Sequence, residues 1–294
     1  MIALQVIGFI LLGLVPFRDD LVNSVTFDRR LTFESFGVRI SLESDDIGLL
    51  SVAHEIAETA FLGKLKLIEN TTSDAGYRFA VIRNGDEYQL FQNGKRTNNC
   101  KSRSILFKYF RSMLRITVAE NAVDRVFVHA GVIGWKGRAV LFPGQSCRGK
   151  TTLVKELIKC GAEYFSDEYG VIDNEGFIHP FPRDLSVRNH VYQHDVVDIS
   201  ALDLGATIRR DPARIGSVIL TEFKKDAQWK PELLTVGRGI LETIPHTIPI
   251  KAATEMSLKI LNLAFADAII AKSTRGDVNK DAVAILTFLD KHLN

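Results

Sequence analysis

The sequence predicts a mixed α+β N-terminal domain over residues 1–98 and a larger α/β domain over residues 99–294. The chain has 294 residues, and a domain typically takes about 150. Short apolar segments separated by turn dipeptides dominate the first part, which is typical of a small sheet with few helices. Near the middle, an apolar strand, a glycine-containing loop and an amphipathic helix follow one another, as they do in α/β proteins.

The composition is that of a folded globular protein, because 46% of the residues are hydrophobic and 24% are charged. The net charge is +2, and no basic run is long enough to indicate a nucleic-acid partner. Cys100, Cys147 and Cys160 are scattered along the chain, so they do not form a disulfide framework. Their spacing favours a reducing, cytoplasmic environment.

The first 17 residues are apolar except for Gln5. This run is short for a membrane-spanning helix, which needs about 20 apolar residues. No basic residue precedes it and no small-residue cleavage site follows it, as a signal peptide would require. A buried strand or helix, or a mis-assigned start, is therefore favoured over a membrane anchor.

Local patterns place the elements of the N-terminal domain in order. Alternating apolar residues predict two strands over 24–45, and aspartates at 45 and 46 precede a helical pattern over 47–61. The dipeptides Asn84-Gly85 and Asn93-Gly94 predict tight hairpin turns. The polar stretch Thr97–Ser102 predicts a linker to the second domain.

The second domain begins with a predicted helix over 104–119, a strand over 125–128 and a hairpin turning at Lys136-Gly137. A buried strand is predicted at 217–221, and closing helices at 256–270 and 281–293.

The glycine-containing loop matches G-x-x-x-x-G-K-[ST] in full, between a strand ending at Phe142 and a helix over 151–159 closed by Gly161. Backbone N–H groups and the helix N-terminus form a positive cradle for phosphates. Lys150 can reach the outer phosphates, and the Thr151 hydroxyl can ligate Mg²⁺. The predicted nucleotide-binding residues are Gly144, Gln145, Ser146, Cys147, Arg148, Gly149, Lys150, Thr151 and Thr152.

Two acids follow the next predicted strand, which covers residues 163–166 and ends at Asp167 and Glu168. If this strand lies beside the loop's own strand in a parallel sheet, its carboxyl end faces the phosphates. One carboxylate can then hold Mg²⁺, directly or through water, and the other can accept a proton from an attacking hydroxyl. Adjacent side chains on a strand point to opposite faces, so the two acids are expected to have different roles.

Histidines give weaker indications. His129 ends the strand that precedes the hairpin, where a structural role is the ordinary interpretation. His190 and His194 are four residues apart, but no third ligand follows them, which argues against a metal site.

The segment from Val128 to Asp173 resembles the kinase core of HPr kinase/phosphorylase and its relatives. It contains the His129-Ala130 pair, a hairpin, the loop from Gly144 to Thr151, a helix ending in glycine, and the acidic pair Asp167-Glu168. The resemblance implies a phosphoenolpyruvate carboxykinase-like P-loop fold rather than a Rossmann-like one.

The resemblance also implies roles for individual residues. Asp167 would be the general base toward a serine hydroxyl, supported by His129. Lys150 would bind the phosphates of ATP, and Thr151 with Glu168 would serve Mg²⁺. The family usually has aspartate where this chain has Glu168, and its later glycine-rich segment with a metal-binding glutamate is missing. These departures favour the divergent relatives that modify peptides on a serine.

The leading hypothesis is therefore an ATP- and Mg²⁺-dependent kinase acting on a serine of a protein or peptide, in a chain that could form homo-oligomers. Arg183 or Arg188 could neutralise charge on the transferring phosphoryl group. Two alternatives stay open, since the acceptor pocket has no recognisable pattern. One is an ATP-binding regulatory module without transfer, and the other is a kinase for a small metabolite.

Overall fold

The computed structural model describes residues 27, 29–68, 76–144, 149–188 and 196–293. The chain separates into two compact units, Met1–Val123 and Asp124–Asn294. The apolar run over residues 1–17 lies outside the described residues. In the described ranges, no helix combines the length and the apolar character needed to cross a membrane.

The first unit contains a six-stranded sheet in the order β3-β1-β2-β4-β5-β6. Among the described strands of this sheet, the one parallel pairing joins β2 to β4, and α1 lies in the connection between these two strands. The elements are β1 (Arg29–Ser35), β2 (Val38–Ser44), α1 (Ile47–Ala60), β3 (Lys66–Leu67), β4 (Tyr77–Asn84), β5 (Glu87–Gln92), β6 (Lys95–Cys100) and α2 (Arg103–Asn121).

Turn and cap residues account for several of these boundaries. The Asp46 carboxylate accepts hydrogen bonds from the N–H groups of Gly48 and Leu49, so α1 begins at the predicted aspartates. The predicted Asn93-Gly94 turn is confirmed, with φ of 50° and 80°. The other hairpin turns at residues 85 and 86, one position later than predicted, because Asn84 pairs with Glu87.

The predicted linker is instead a strand. Residues 97–100 belong to β6, which pairs with β5 at the edge of the first sheet. An edge strand is held by backbone hydrogen bonds and tolerates polar side chains, so its composition resembles that of a loop. The compact units divide after Val123 rather than at the predicted boundary between 98 and 99, because Leu106, Phe110 and Leu114 of α2 belong to the first core.

The second unit contains an eight-stranded sheet in the order β11-β10-β7-β8-β14-β16-β15, with β9 also paired to β7. The strands β8, β14 and β16 are parallel to one another. The elements are β7 (Arg125–Trp135), β8 (Arg138–Pro143), α3 (Lys150–Lys159), β9 (Glu163–Ser166), β10 (Tyr169–Asp173), β11 (Phe177–His179), β12 (Leu185–Arg188), β13 (Val196–Ile199), β14 (Ala213–Phe223), β15 (Glu232–Leu234), α4 (Val236–Thr243), α5 (Thr254–Phe265), β16 (Ile269–Arg275) and α6 (Val278–His292).

Helices cover both faces of this second sheet. Ala139 and Leu141 of β8 belong to the core that contains residues of α4 and α5. Val140 and Phe142, which alternate with them, belong to the core that contains residues of α3 and α6. A strand buried on both sides reads as a continuous apolar run, which is how residues 139–142 appear in the sequence. The predicted α/β class is confirmed.

Two predictions for this unit are wrong. The strand that precedes the acids, β9, pairs with β7 and not with β8, so β7 lies between the two. Because β7 is antiparallel to both, β9 still runs in the same direction as β8.

The helix predicted over 256–270 ends at Phe265, and Ile269 and Ile270 instead begin the interior strand β16. A short apolar run fits either period, so its pattern alone did not separate the two.

Candidate functional site

The predicted strand and helix flank the motif. The strand β8 ends at Pro143, and α3 begins at Lys150. Gly149 precedes the helix with a φ of 75°, a left-handed conformation that favours glycine. Residues 145–148 lie outside the described residues, so the roles of Gln145, Ser146, Cys147 and Arg148 stay predictions.

Lys150 crosses the base of the loop. Its side chain is buried, and its Nζ donates a hydrogen bond of 2.7 Å to the carbonyl oxygen of Gly144. The N–H of Gly144 in turn donates to the carbonyl of His129 on β7. The lysine ammonium is thus held at the N-terminus of α3, where β8 ends and β7 passes beside it at His129. Thr152, in the first turn of α3, is exposed.

Thr151 and Asp167 meet at this edge. The Thr151 hydroxyl donates to Oδ2 of Asp167 over 3.3 Å. Asp167 follows β9 directly and is 7% exposed. The carboxyl end of β9 therefore reaches the loop as predicted, although β7 lies between β9 and β8.

Tyr164 lies behind the Asp167 carboxylate, within β9. Its hydroxyl donates to the carbonyl oxygen of Arg183 over 2.7 Å and lies 3.5 Å from Oδ1 of Asp167. The side chain is fully buried. Burial, followed by the charge of Asp167, raises the pKa of Tyr164, so its hydroxyl stays protonated.

Glu168, the second of the two acids, pairs with an arginine. Its Oε2 accepts a hydrogen bond from Nη1 of Arg183, and the two side chains form an ion pair. The structure brings Asp167 against the predicted magnesium ligand Thr151, and the role of Glu168 toward Mg²⁺ stays a prediction. Arg188, the other predicted arginine, ends β12.

The charge of a second histidine, His246, which the sequence did not single out, acts on His129. Burial, the charge of Lys150 and that of His246 lower the pKa of His129 to about 3. Burial and the charge of Lys150 also lower the pKa of His246 to about 4, although Glu242 opposes this shift. Both imidazoles are therefore neutral, and not cationic, at pH 7.

His246, Tyr164 and Arg275 are the residues at this edge that the motif did not predict. His246 ends a 3₁₀ turn, and the neighbouring Thr247 forms a β-bridge with Val128 on β7. Arg275 ends β16, and its guanidinium lies against Gly149. None of the three carries a local pattern, and the apolar run of residues 269–271 that leads to Arg275 fits a helix as well as a strand.

A magnesium ion bound with a nucleotide fits the polar groups at this edge. Among the described residues, no group of three or more His, Cys, Asp or Glu side chains could hold a metal by itself. Mg²⁺ takes one or two protein oxygens and completes its shell with phosphates and water. The Thr151 hydroxyl and the Asp167 carboxylate are oxygen donors of this kind, 3.3 Å apart.

Comparisons with known proteins are weak. No family model matches the chain, and no curated protein matches it. One solved structure that resembles it is the HPr(Ser) kinase/phosphatase from Coxiella burnetii, at 15% sequence identity and a TM-score of 0.28. The match covers 56% of this chain and 95% of that one. Because the superposition is this loose, the likeness does not support a fold or an activity, which have to be inferred from the site itself.

Proposed function

We propose that the chain is a Mg²⁺-dependent kinase that transfers the γ-phosphoryl group of ATP to the hydroxyl of a serine in a protein or peptide. The observation that carries the proposal is the contact between Thr151 and Asp167 at the N-terminus of α3. A loop with this sequence pattern is typical of sites that bind the phosphates of a nucleoside triphosphate. A buried carboxylate beside it supplies what a hydroxyl nucleophile needs, a proton acceptor.

The loop and the first turn of α3 would bind the triphosphate. Lys150 would exchange the Gly144 carbonyl for phosphate oxygens, since a lysine ammonium prefers the charged acceptor. The N–H groups of Lys150, Thr151 and Thr152 stand at the start of a helix whose N-cap residue, Gly149, has no side chain to cap them. The Thr151 hydroxyl would hold Mg²⁺, which neutralises charge on the phosphates when bound.

Asp167 would take the proton of the acceptor hydroxyl. The acceptor oxygen forms a bond to the γ-phosphorus, the bond between that phosphorus and the β,γ-bridging oxygen breaks, and ADP leaves with the electron pair. The proton passes to the Asp167 carboxylate. His129, neutral beside Lys150, would support the site through hydrogen bonds. Arg183, held near Asp167 by its carbonyl bond to Tyr164, is within the same cluster and could stabilise the transferring group.

A phosphoenolpyruvate carboxykinase-like core of the HPr kinase type is part of this proposal. The support is the motif segment from Val128 to Asp173, which the chain folds into strand, hairpin, loop, helix and strand in that order. A protein or peptide partner with an acceptor serine, homo-oligomer formation and the absence of a nucleic-acid partner follow from the same proposal.

Two substitutions test the proposal. Lys150→Ala should abolish binding of Mg-ATP in titration calorimetry. Asp167→Asn should retain binding but lose transfer of label from γ-labelled ATP to a library of serine-containing peptides. Transfer by Asp167→Asn at the wild-type rate would show that this carboxylate is not the base.

A regulatory module that binds ATP without transfer is the second candidate. The ion pair between Glu168 and Arg183 favours it, because it occupies an acid that the resemblance assigns to Mg²⁺. Tight binding of ATP by the wild-type chain, with no label transferred to peptides, to small hydroxyl metabolites or to water, would support this candidate over either kinase.

A further inference from the structure

Arg275 stands at the same edge of the sheet as the phosphate loop. It is the last residue of β16, which is parallel to β14, and β14 is parallel to β8. The carboxyl ends of these three strands therefore share one edge, the edge at which α/β sheets bind ligands. The loop follows β8 at this edge.

The Arg275 guanidinium lies against the last glycine of the loop. A Cβ atom built on Gly149 would lie 2.8 Å from Nη2 and 3.4 Å from Nη1 of Arg275. The shorter distance is below an ordinary contact of a Cβ atom, so a side chain at 149 would require the guanidinium to shift. The contact places a cationic group directly beside the N-terminus of α3.

The charge is deeply buried. Arg275 is only 3% exposed, and an arginine is rarely buried to this extent without an anionic partner. Burial lowers the pKa of Arg275 and the charge of Asp281 raises it, but an arginine remains protonated at neutral pH. Asp281 is itself buried, and its Oδ2 accepts a hydrogen bond from the N–H of Gly276.

We propose that Arg275 is a positioning residue of the phosphate site, which holds Gly149 in place and adds positive potential where the triphosphate binds. The inference rests on the proposed function, since it assumes that the loop binds ATP. The proposal gives β16 and α6 a role in nucleotide binding, although both elements lie far from the loop motif in sequence. Asp281 opposes this effect, because its negative charge reduces the potential that Arg275 provides.

The test compares two substitutions of Arg275 whose side chains are similar in length, one neutral (Met) and one positively charged (Lys). Arg275→Met should raise the Kd for Mg-ATP by about tenfold or more, because a charge-assisted contribution is lost. Arg275→Lys should stay within about threefold of wild type, and both should change the Kd for AMP by less than about twofold, since AMP carries the least phosphate charge. Equal losses in both variants, or a wild-type Kd in Arg275→Met, would overturn the proposal.

A third variant tests the role of Arg275 even if Arg275→Met does not fold. Asp281→Asn keeps an oxygen that can accept the hydrogen bond from Gly276 but removes the charge that opposes Arg275. The proposal expects this variant to bind Mg-ATP more tightly than wild type, whereas a purely structural role for Arg275 gives no gain in affinity. An unchanged or weakened affinity would therefore contradict it.

Lys150→Ala distinguishes a failure of the proposed function from a failure of the proposed role of Arg275. If the wild-type chain does not bind ATP, or if Lys150→Ala binds it normally, the proposed function itself fails. If Lys150→Ala loses binding while Arg275→Met and Asp281→Asn behave as wild type, only the role of Arg275 is wrong.

Discussion

The Thr151 hydroxyl donates a hydrogen bond to Asp167 over 3.3 Å, which joins the first turn of α3 to the end of β9. These residues lie on different elements, and the intervening strand β7 separates β9 from β8. The contact therefore depends on the tertiary fold. It brings a hydroxyl suited to Mg²⁺ and a carboxylate suited to proton transfer to one place.

Replacing Asp167 should separate binding from chemistry. In Asp167→Asn the Kd for Mg-ATP should stay within about threefold of wild type, while transfer falls by about 10²–10⁴-fold, the usual contribution of a general base. Calorimetry with and without Mg²⁺ measures the first quantity, and single-turnover label transfer measures the second. Asp203→Asn, at an exposed position of the same unit, is the control. A loss of affinity seen only with Mg²⁺ would instead identify Asp167 as a metal ligand.

Removing the Tyr164 hydroxyl should weaken both the fold and the transfer step. Tyr164→Phe leaves the carbonyl of Arg183 without this donor, so the free energy of unfolding should fall by about 1–3 kcal/mol. Transfer should slow further than ATP binding weakens, because Asp167 loses the group beside its Oδ1. Denaturant titration and single-turnover transfer are the measurements. Tyr109→Phe, in the core of the first unit, serves as the control, and a Tyr164→Phe protein as stable as wild type would refute the prediction.

Two glycines with positive φ provide a matched pair. Gly149→Ala introduces a left-handed alanine and a Cβ that collides with Arg275. Gly161→Ala introduces the same kind of strain at the end of α3, but among the described residues no heavy atom beyond its chain neighbours lies within 4 Å of the new Cβ. Each should lower the free energy of unfolding by about 1–2 kcal/mol, but only Gly149→Ala should also weaken ATP binding. Equal ATP affinities in the two variants would count against a role for Gly149 in the loop.

The neutral histidines predict a loss of stability in acid. In the folded chain the pKa of His246 is lowered to about 4 and that of His129 to about 3, whereas an unfolded histidine titrates near 6.5. Between these values the unfolded chain binds more protons, so stability is greatest above about pH 6.5 and falls as the pH drops toward 4.

His246→Gln should therefore make the dependence of the unfolding free energy on pH less steep between pH 6.5 and 4. Chemical denaturation at several pH values measures this slope, with His292→Gln as the control. A slope identical to that of wild type would show that His246 is not held neutral in the folded protein.

Local patterns were sufficient where neighbouring residues decide the structure. The Asn93-Gly94 turn, the helix starting after Asp46 and the strand–loop–helix around Lys150 each follow from a few adjacent residues. The edge strand β6 was not recognisable, because it is held by backbone pairing that leaves its side chains polar. The strand β16 was not recognisable either, since its two isoleucines fit a helix as well as a strand.

The sequence by itself determined the loop, its lysine and threonine, and the two acids, because these residues are adjacent or sit at the end of a strand. Only the tertiary structure decided which acid meets Thr151, which one pairs with Arg183, and that Tyr164, His246 and Arg275 stand beside them. The physical reason is that most of these contacts join different helices, strands and turns. Their geometry depends on strand order and on packing across the sheet, which no local pattern records.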